Sequence, residues 1–221
     1  MQLELTPNRL LAEEKIPVAD CSIINASVIK RQIGKRNIVD LRRKESATVA
    51  LAELERDGCE LFGLTKGQFS LTDMIKVILV KTGSAALTIS TWTAASADVT
   101  QMMELLASGQ ITSCRWLVDL TFVRRCPSLA QQIRARFGDD AIRVTKTHAK
   151  FCTIVNDKWQ VALRSSMNLN QNPRLESFQV GHDPELCCFL DEVVTQIWKK
   201  QRRELSESTN SELTKWWHDQ G

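Results

Sequence analysis

Alternating polar residues around position 148 have the types and the spacing for chemistry on a phosphate. Residues 142–155 (IRVTKTHAKFCTIV) are rich in Val, Ile, Thr and Phe, which predicts a β-strand. Side chains two positions apart in a strand point to the same face. We therefore expect Lys146, His148 and Lys150 to lie side by side, an arrangement that does not build an apolar core.

A second polar row follows on the returning chain. Asn156-Asp157 predicts a tight turn, and residues 158–165 predict the second strand of a hairpin. If the chain stays extended beyond that strand, one face carries Arg164, Ser166, Asn168 and Asn170. Arg164 and Asn170 are then candidate substrate contacts.

These residue types suit a phosphodiester substrate. An imidazole can attack phosphorus or donate a proton near neutral pH, so His148 is the candidate nucleophile or acid. Lys150, Ser166 and Asn168 offer an ammonium, a hydroxyl and an amide to the phosphate oxygens. Glu176 is a candidate to orient the imidazole. The alternative is a surface hairpin with a solvated His and Lys, and residue types alone leave both interpretations open.

The motif His148-Ala-Lys150, followed by Ser165-Ser166-Met-Asn168, resembles the HxK…GSxN signature of the phospholipase D superfamily. The run RSSMNLNQNPRLE, with TKGQFSLTDMI and ISTWTAA upstream, is similar to phospholipase D-like proteins of phages and prophages. The resemblance covers roughly residues 57–200. It implies that His148 attacks phosphorus and forms a phosphohistidine, that Lys150, Ser166 and Asn168 bind the phosphate, and that neither a metal nor a cofactor is needed.

The sequence departs from that signature at three points. The superfamily's Asp falls at Val155, and the glycine before the motif Ser is Ser165. The spacing between the motif His and Ser is longer than usual, which indicates a longer hairpin. The superfamily's Asp supports the site rather than reacting, so the resemblance still implies an active enzyme.

The chain contains one HxK motif, because neither His182 nor His218 has a Lys two residues later. In the resembled superfamily a second motif His protonates the leaving group. If two motifs are needed, two chains must supply them across a two-fold axis. The sequence therefore predicts a homodimer with a shared active site.

Composition sets broad limits on the class of protein. The 221 residues are 43% hydrophobic and 25% charged with a formal net charge of +3, which is typical of a globular chain and does not by itself imply a nucleic-acid partner. No apolar run is long enough to span a membrane, and the start is not typical of a signal peptide. Seven cysteines without a CxxC pair favour reduced thiols and a cytoplasmic location.

A basic cluster lies near the start of the chain. It interleaves with isoleucines at loosely helical spacing and suggests either phosphate contacts with nucleic acid or a solvated helix face. The candidate nucleic-acid contacts are Lys30, Arg31, Lys35, Arg36, Arg42 and Arg43.

Alternating strand and helix patterns between residues 59 and 205 predict the fold. They indicate an α/β protein with a mixed β-sheet flanked by helices and an N-terminal helical extension. The predicted divisions are a basic extension over 1–56 (an arm plus a helix over 44–57), a phospholipase D-like domain over 57–204 and a tail over 205–221. Strands are predicted at 86–94 and 113–122, and helices at 73–83, 128–138 and 185–205.

Two upstream positions join the candidate site. Trp92 ends a predicted buried strand, where open α/β sheets place ligands, although a core Trp is an equal alternative. Lys66 lies in a loop that belongs to the resembled pattern, which implies a substrate contact.

Three functions follow in order of preference. The first is a metal-independent phosphodiesterase, a nuclease on DNA or RNA. The second is a nucleic-acid-binding protein that keeps the phosphate cradle without turnover. The third is a phospholipase or phosphatidyl transferase, ranked last because no membrane-facing apolar segment is present.

Overall fold

The computed structural model describes residues 18–19, 36–38, 46–56 and 59–200. Within these residues, nine strands form one sheet, and helices lie on both of its faces. The elements are, in chain order, β1 (Val18–Ala19), β2 (Arg36–Ile38), α1 (Ala47–Ala50), β3 (Glu60–Thr65), α2 (Leu71–Thr82), β4 (Ala85–Thr91), α3 (Ser96–Ala107), β5 (Ile111–Asp119), α4 (Leu120–Arg125), α5 (Pro127–Phe137), β6 (Ile142–Thr145), β7 (Phe151–Val155), β8 (Gln160–Ser165), β9 (Glu176–His182) and α6 (Pro184–Lys200).

The strands lie in the order β1-β6-β5-β4-β7-β8-β9-β3-β2. Strands β4, β5 and β6 are parallel, whereas β7, β8, β9 and β3 continue the sheet with antiparallel pairs. This arrangement confirms the predicted α/β fold with a mixed sheet. It also brings the ends of β3, β4, β5, β6 and β8 and the starts of β7 and β9 to one edge, which we call the polar edge.

One face of the sheet carries the main core. Helices α2, α3 and α5 pack there against Trp116, Ile89 and Phe178, all at most 1% exposed. Helix α6 covers part of the other face, where Val194 and Ile197 pack on Leu117 and Phe151. None of the described helices is long and apolar enough to cross a membrane.

Local signals fix the ends of α2 as the sequence predicts. The Ser70 side chain accepts a hydrogen bond from the Asp73 N–H, and the Asp73 carboxylate accepts one from the Ser70 N–H, which completes a capping box. Gly83 ends the helix at a φ of 85°. The end of β3 is thereby joined to the capped start of α2 by the short loop that contains Lys66.

The predicted continuous strand over 142–155 is wrong. Strand β6 pairs with β5, whereas β7 pairs with β4 and β8, so the chain must cross the ends of both β5 and β4 between them. Residues 146–150 make that crossing along the polar edge and belong to no strand. Pairing partners distant in sequence override the local β propensity here.

Three other predicted boundaries shift. The helix predicted over 44–57 is only the single turn α1. Ser46 caps this turn, and Ala47 and Ala50 are buried. Tertiary packing outweighs the helix propensity of the flanking residues here. The strand predicted over 113–122 ends at Asp119, which caps α4 by accepting from the Thr121 N–H. The returning hairpin strand starts at Gln160, because Asn156 uses its side chain to close a longer turn.

Described parts of the predicted N-terminal extension belong to the sheet. Strand β1 pairs with β6, and β2 pairs with β3, so these short strands are its two outermost members in the described chain. The division into an extension, a domain and a tail stays a prediction. The predicted contacts Lys30, Arg31, Lys35, Arg42 and Arg43 lie outside the described residues, as does the tail over 205–221; Arg36 begins β2.

Candidate active site

The crossing segment presents the imidazole and ammonium side by side. The Lys150 Nζ lies 3.2 Å from Nδ1 and 3.3 Å from Nε2 of His148, and it donates a hydrogen bond to the His148 carbonyl at 2.9 Å. His148 is exposed and Lys150 is half-buried. The two side chains are therefore adjacent and open to solvent, although the segment is not a strand.

A buried carboxylate fixes the backbone before His148. Asp119, 7% exposed, accepts a hydrogen bond from the Thr147 N–H at 3.0 Å through Oδ2. Its Oδ1 accepts from the Thr121 N–H at 2.8 Å and from the Thr121 hydroxyl at 2.6 Å. One side chain therefore joins the start of α4 to the segment that carries the imidazole. The sequence signal for this role was Asp119-x-Thr121 after a buried strand, which is typical of a helix cap.

The backbone after His148 is fixed by two hydroxyl groups. The Ala149 N–H donates to the Thr147 hydroxyl at 3.2 Å, and the Ser90 hydroxyl donates to the Ala149 carbonyl at 2.9 Å. Ser90 is fully buried in β4. The backbone of His148 thus lies between two peptide groups that are fixed by hydrogen bonds.

An aromatic ring lies against the imidazole. Trp92 follows the end of β4, and its ring centroid lies 5.8 Å from that of His148 with the planes tilted by 55°. The guanidinium of Arg125 lies over the indole at 4.7 Å and donates from Nε to the Thr121 carbonyl at 3.2 Å. The structure brings the predicted contact Trp92 to the site, and sequence reasoning missed Arg125.

Ser166 and Glu176 meet on the other side of Lys150. The Ser166 hydroxyl donates to the Glu176 carboxylate and accepts from the Ser177 N–H at 2.9 Å. The negative charge of Glu176 also acts on Lys150. No hydrogen bond joins Glu176 to His148 among the described residues. In this structure Glu176 therefore orients the hydroxyl of the predicted cradle, and not the imidazole.

Partial burial lowers the pKa of Lys150 from its usual value of 10.5, and the nearby Glu176 carboxylate opposes that shift. Burial removes water that would solvate an ammonium. A phosphate group at this position would supply the missing negative charge and favour the protonated Lys150.

Two of the three departures from the superfamily signature, Ser165 and Val155, have local explanations. The Ser165 hydroxyl donates to the Ser177 carbonyl at 2.8 Å and accepts from the Met167 N–H at 2.9 Å, so it closes the turn that presents Ser166. Val155 lies at the opposite end of β7 from the polar edge and packs beside Phe189. Neither substitution removes a hydrogen bond between the described site residues.

Asn168 and Asn170 flank a residue that is pinned to β4. The Leu169 N–H donates to the Thr93 carbonyl at 3.2 Å, and its carbonyl accepts from the Ala95 N–H at 2.8 Å. The side-chain oxygens of both asparagines are buried without a hydrogen-bond partner in the described chain. Buried polar atoms in proteins are usually hydrogen-bonded, so these two amides have unused hydrogen-bonding capacity beside the predicted site.

Lys66 lies on the rim, whereas Arg164 lies elsewhere. The Lys66 side chain is exposed after the end of β3, in a loop whose Gly67 approaches Asn172 and Pro173. The expected shared face of Arg164 with Ser166 is wrong, because β8 ends at Ser165 and the chain then turns. The Arg164 guanidinium pairs with Glu60 at 3.1 Å and is not brought to the imidazole.

Other titratable groups do not add to this site. His182 is at the far end of β9, where its Nδ1 accepts from the Gln160 N–H at 3.0 Å. No group of three or more His, Cys, Asp or Glu side chains within the described ranges could hold a metal ion. Among described residues, the polar edge therefore presents one imidazole, that of His148.

No known protein-family profile matches the chain, and no curated protein sequence matches it. Among solved structures, polyphosphate kinase from Porphyromonas gingivalis is similar at a TM-score of 0.48 and 13% identity, over 66% of this chain and 27% of that chain. NucT from Helicobacter pylori is similar at a TM-score of 0.47 and 12% identity, over 64% of this chain and 97% of that chain. Phosphatidylserine synthase from Haemophilus influenzae is similar at a TM-score of 0.44 and 15% identity, over 64% of this chain and 38% of that chain.

These three solved structures belong to the phospholipase D superfamily. This chain spans only about a quarter of the polyphosphate kinase and less than half of the phosphatidylserine synthase. At TM-scores below 0.5 and identities of 12–15%, the similarity assigns no activity to this chain. The geometry of the polar edge is therefore the basis of the function proposed for this chain.

Proposed function

We propose that the chain hydrolyses phosphodiester bonds with His148 as the nucleophile, and that its substrate is a nucleic acid. The observation that carries this proposal is the contact of the Lys150 ammonium with His148, at 3.2 and 3.3 Å from its two ring nitrogens, on an exposed edge. A cation beside a nucleophile binds the non-bridging phosphate oxygens and stabilises the charge that develops there.

In the proposed reaction a His148 ring nitrogen attacks phosphorus, and the bond from phosphorus to one ester oxygen breaks. The leaving oxygen takes a proton from an acid and departs as an alcohol. Water then attacks the phosphohistidine, which restores the imidazole and releases a phosphomonoester. Lys150, Ser166 and Asn168 bind the oxygens that keep the negative charge, with Ser166 oriented by Glu176.

The leaving-group acid is proposed to come from a second copy of the chain. The sequence has one HxK motif, so a two-motif reaction requires a homodimer. Exposed apolar side chains beside the polar edge support such a contact, because large apolar groups seldom cluster on the surface of monomers. Phe62 and Leu64 of β3 are 42% and 46% exposed, and Leu175 before β9 is 68% exposed.

A nucleic-acid partner is supported by the charge of the polar edge. Lys66 and Arg174 are exposed beside β3, and Arg125 is exposed beside Trp92. Among the described residues, two carboxylates of that edge are already engaged, Asp119 with backbone and hydroxyl donors and Glu176 with Ser166. The remaining positive charge suits a polyanion.

The second candidate is a nucleic-acid-binding protein without turnover. One observation favours it, since Glu176 bonds Ser166 and no carboxylate of the described chain is hydrogen-bonded to the imidazole. Binding of oligonucleotides without cleavage would support this candidate.

The test is cleavage of single-stranded DNA, duplex DNA, RNA and bis(p-nitrophenyl) phosphate in EDTA. We expect phosphodiester cleavage by the parent chain, loss of activity in His148→Ala, and retained activity in His182→Asn. The second variant is a matched control, because its amide oxygen can still accept from Gln160. Cleavage that survives His148→Ala would contradict the mechanism.

A further inference from the structure

The indole of Trp92 lies between the candidate nucleophile and an arginine. The imidazole of His148 lies 5.8 Å from the indole centroid, and the Arg125 guanidinium lies 4.7 Å from it. Arg125 and His148 are exposed and Trp92 is half-exposed. A planar aromatic and cationic surface is therefore open to solvent directly beside the proposed reacting group.

A second Arg–Trp contact in the same fold shows what a purely structural pair looks like. Trp198 is covered by the guanidinium of Arg143 at 4.9 Å and donates from Nε1 to the Asp140 carbonyl at 2.9 Å. Arg143 is buried and also pairs with the Asp140 carboxylate at 2.5 Å. The charge of Arg143 and the indole N–H of Trp198 are therefore both paired with groups of the fold itself.

Arg125 differs in each of those respects. It is exposed, and its hydrogen bond to the Thr121 carbonyl engages Nε alone. No carboxylate lies within ion-pair distance of it in the described chain. Its charge is therefore available to a ligand, and its guanidinium already lies over an aromatic ring.

A nucleobase matches this surface. Unpaired bases stack on indole rings and on guanidinium planes, and every base has a flat face that can do so. Within a nucleotide the base and its phosphate are separated by one sugar, a span comparable with the 5.8 Å between indole and imidazole centroids. A phosphate held by Lys150 would place the neighbouring base at Trp92.

We infer that Trp92 and Arg125 form a base-stacking subsite for the nucleotide next to the scissile phosphate, and that the substrate is single-stranded nucleic acid. The inference rests on the proposed phosphodiesterase function and names the form of its substrate. A duplex cannot use the subsite, because stacking within the helix covers both faces of each paired base. Arg125 is a specificity residue in this scheme and does not touch the reacting atoms.

The experiment compares three 12-residue substrates: oligodeoxythymidylate, the same strand in a duplex, and a strand with abasic residues throughout. KM and kcat are measured for the parent chain, Trp92→Leu, Arg125→Gln and Arg136→Gln. Arg136 is an exposed arginine near the end of α5, which precedes the start of β6 at the sheet edge opposite the polar edge, and serves as the matched control.

We expect the parent chain to have a KM for the thymidylate strand about tenfold below that for the abasic strand. Trp92→Leu should abolish that ratio, and Arg125→Gln should reduce it about threefold. Arg136→Gln should leave it unchanged. An equal KM for the thymidylate and abasic strands in the parent chain would overturn the subsite, whatever the values of kcat.

Binding separates failure of the subsite from failure of the enzyme. Fluorescence anisotropy with His148→Ala should show the same preference for bases over abasic residues, and Trp92→Leu should remove it in that background. If no substrate is cleaved but this preference persists, the phosphodiesterase proposal fails and the subsite stands. If substrates are cleaved without the preference, the subsite alone fails.

Discussion

The Asp119 carboxylate accepts a hydrogen bond from the Thr147 N–H at 3.0 Å, and this contact ties the end of β5 to the residue before His148. The same carboxylate caps α4, which carries Arg125 to its place above Trp92. The position of the imidazole and the position of its aromatic neighbour therefore depend on one buried side chain.

Asp119→Asn should lower kcat about tenfold to a hundredfold with a smaller change in KM. An amide offers one acceptor oxygen where the carboxylate offers two, so either Thr121 or Thr147 loses its partner, and a displaced nucleophile reacts slowly. The free energy of unfolding should fall by about 1–2 kcal/mol, measured with urea. Asp73→Asn is the control, because it weakens the cap of α2 without a contact to the His148 segment. An equal loss of kcat in both variants would contradict a positioning role.

Lys150→Met should reduce kcat about a hundredfold to a thousandfold, because a donor to the developing phosphate charge is lost. It should not lower stability near neutral pH. Burial lowers the pKa of Lys150 from 10.5, so between the lowered pKa and 10.5 the folded chain binds fewer protons than the unfolded chain. Stability then rises with pH across that window.

The measurement is urea unfolding of the parent chain and Lys150→Met at several pH values from neutral to 10.5. We expect the variant to be at least as stable at neutral pH, and the difference in unfolding free energy to move in favour of the parent chain as pH rises. Lys158→Met, an exposed lysine in the hairpin turn, controls for general lysine titration. A difference that is constant with pH would argue against the lowered pKa.

Ser165→Gly, which restores the residue of the superfamily signature, should destabilise the chain by about 1–2 kcal/mol and should not raise kcat. The substitution removes the bonds to the Ser177 carbonyl and the Met167 N–H, and glycine adds backbone freedom to the unfolded chain. Ser165→Ala separates the two causes, because it loses the bonds without the added freedom. A gain in activity with Ser165→Gly would show that the hydroxyl obstructs the site.

Gly67→Ala should destabilise the chain more than Gly83→Ala and should alone raise KM. Both glycines have positive φ, 81° and 85°, which costs an alanine about 1–2 kcal/mol. At Gly67 a Cβ would also lie 3.0 Å from the Asn172 carbonyl oxygen and the Pro173 Cα, whereas nothing lies within 4 Å at Gly83. Comparing the two variants therefore isolates the effect of the contact between the Lys66 loop and the loop after Asn170. Equal changes in unfolding free energy and KM would show that this contact contributes to neither.

Phe62→Glu combined with Leu64→Lys should convert the proposed dimer to a monomer in light scattering and abolish cleavage. Val80→Glu is the control, since Val80 is 81% exposed on α2 and is outside the β3 pair. If each active site needs two chains, only dimers of two parent chains are active. In mixtures with His148→Ala, the activity should therefore be proportional to the square of the parent fraction. A linear loss, or an active monomer, would rule out the shared site.

Local patterns were enough to predict elements whose ends are marked by nearby residues. Helix α2 begins and ends within two residues of the predicted 73–83, because Ser70 caps its start and Gly83 ends it at a positive φ. The pairing of His148 with Lys150 was also predicted, although for a strand that does not exist. The two side chains are adjacent without a strand, because the Lys150 ammonium donates a hydrogen bond to the His148 carbonyl.

The break in the predicted 142–155 strand and the placement of Arg164 away from the site involve partners distant in sequence. The break between β6 and β7 follows from their different neighbours, β5 and β4, and nothing within residues 142–155 marks it. Arg164 meets Glu60, which is 104 positions away, and Asp119 meets Thr147 across 28. Hydrogen bonds of this kind depend on strand order, which a single sequence does not display.

The strand order also has a consequence for biosynthesis. Strand β3 ends beside Glu176 of β9, the last strand, so the cradle side of the polar edge is assembled from residues more than a hundred positions apart. Long-range pairings of this type form late, because a large loop must close first. Under the proposed function, a chain still being synthesised would therefore lack a complete polar edge and would not yet cleave nucleic acid.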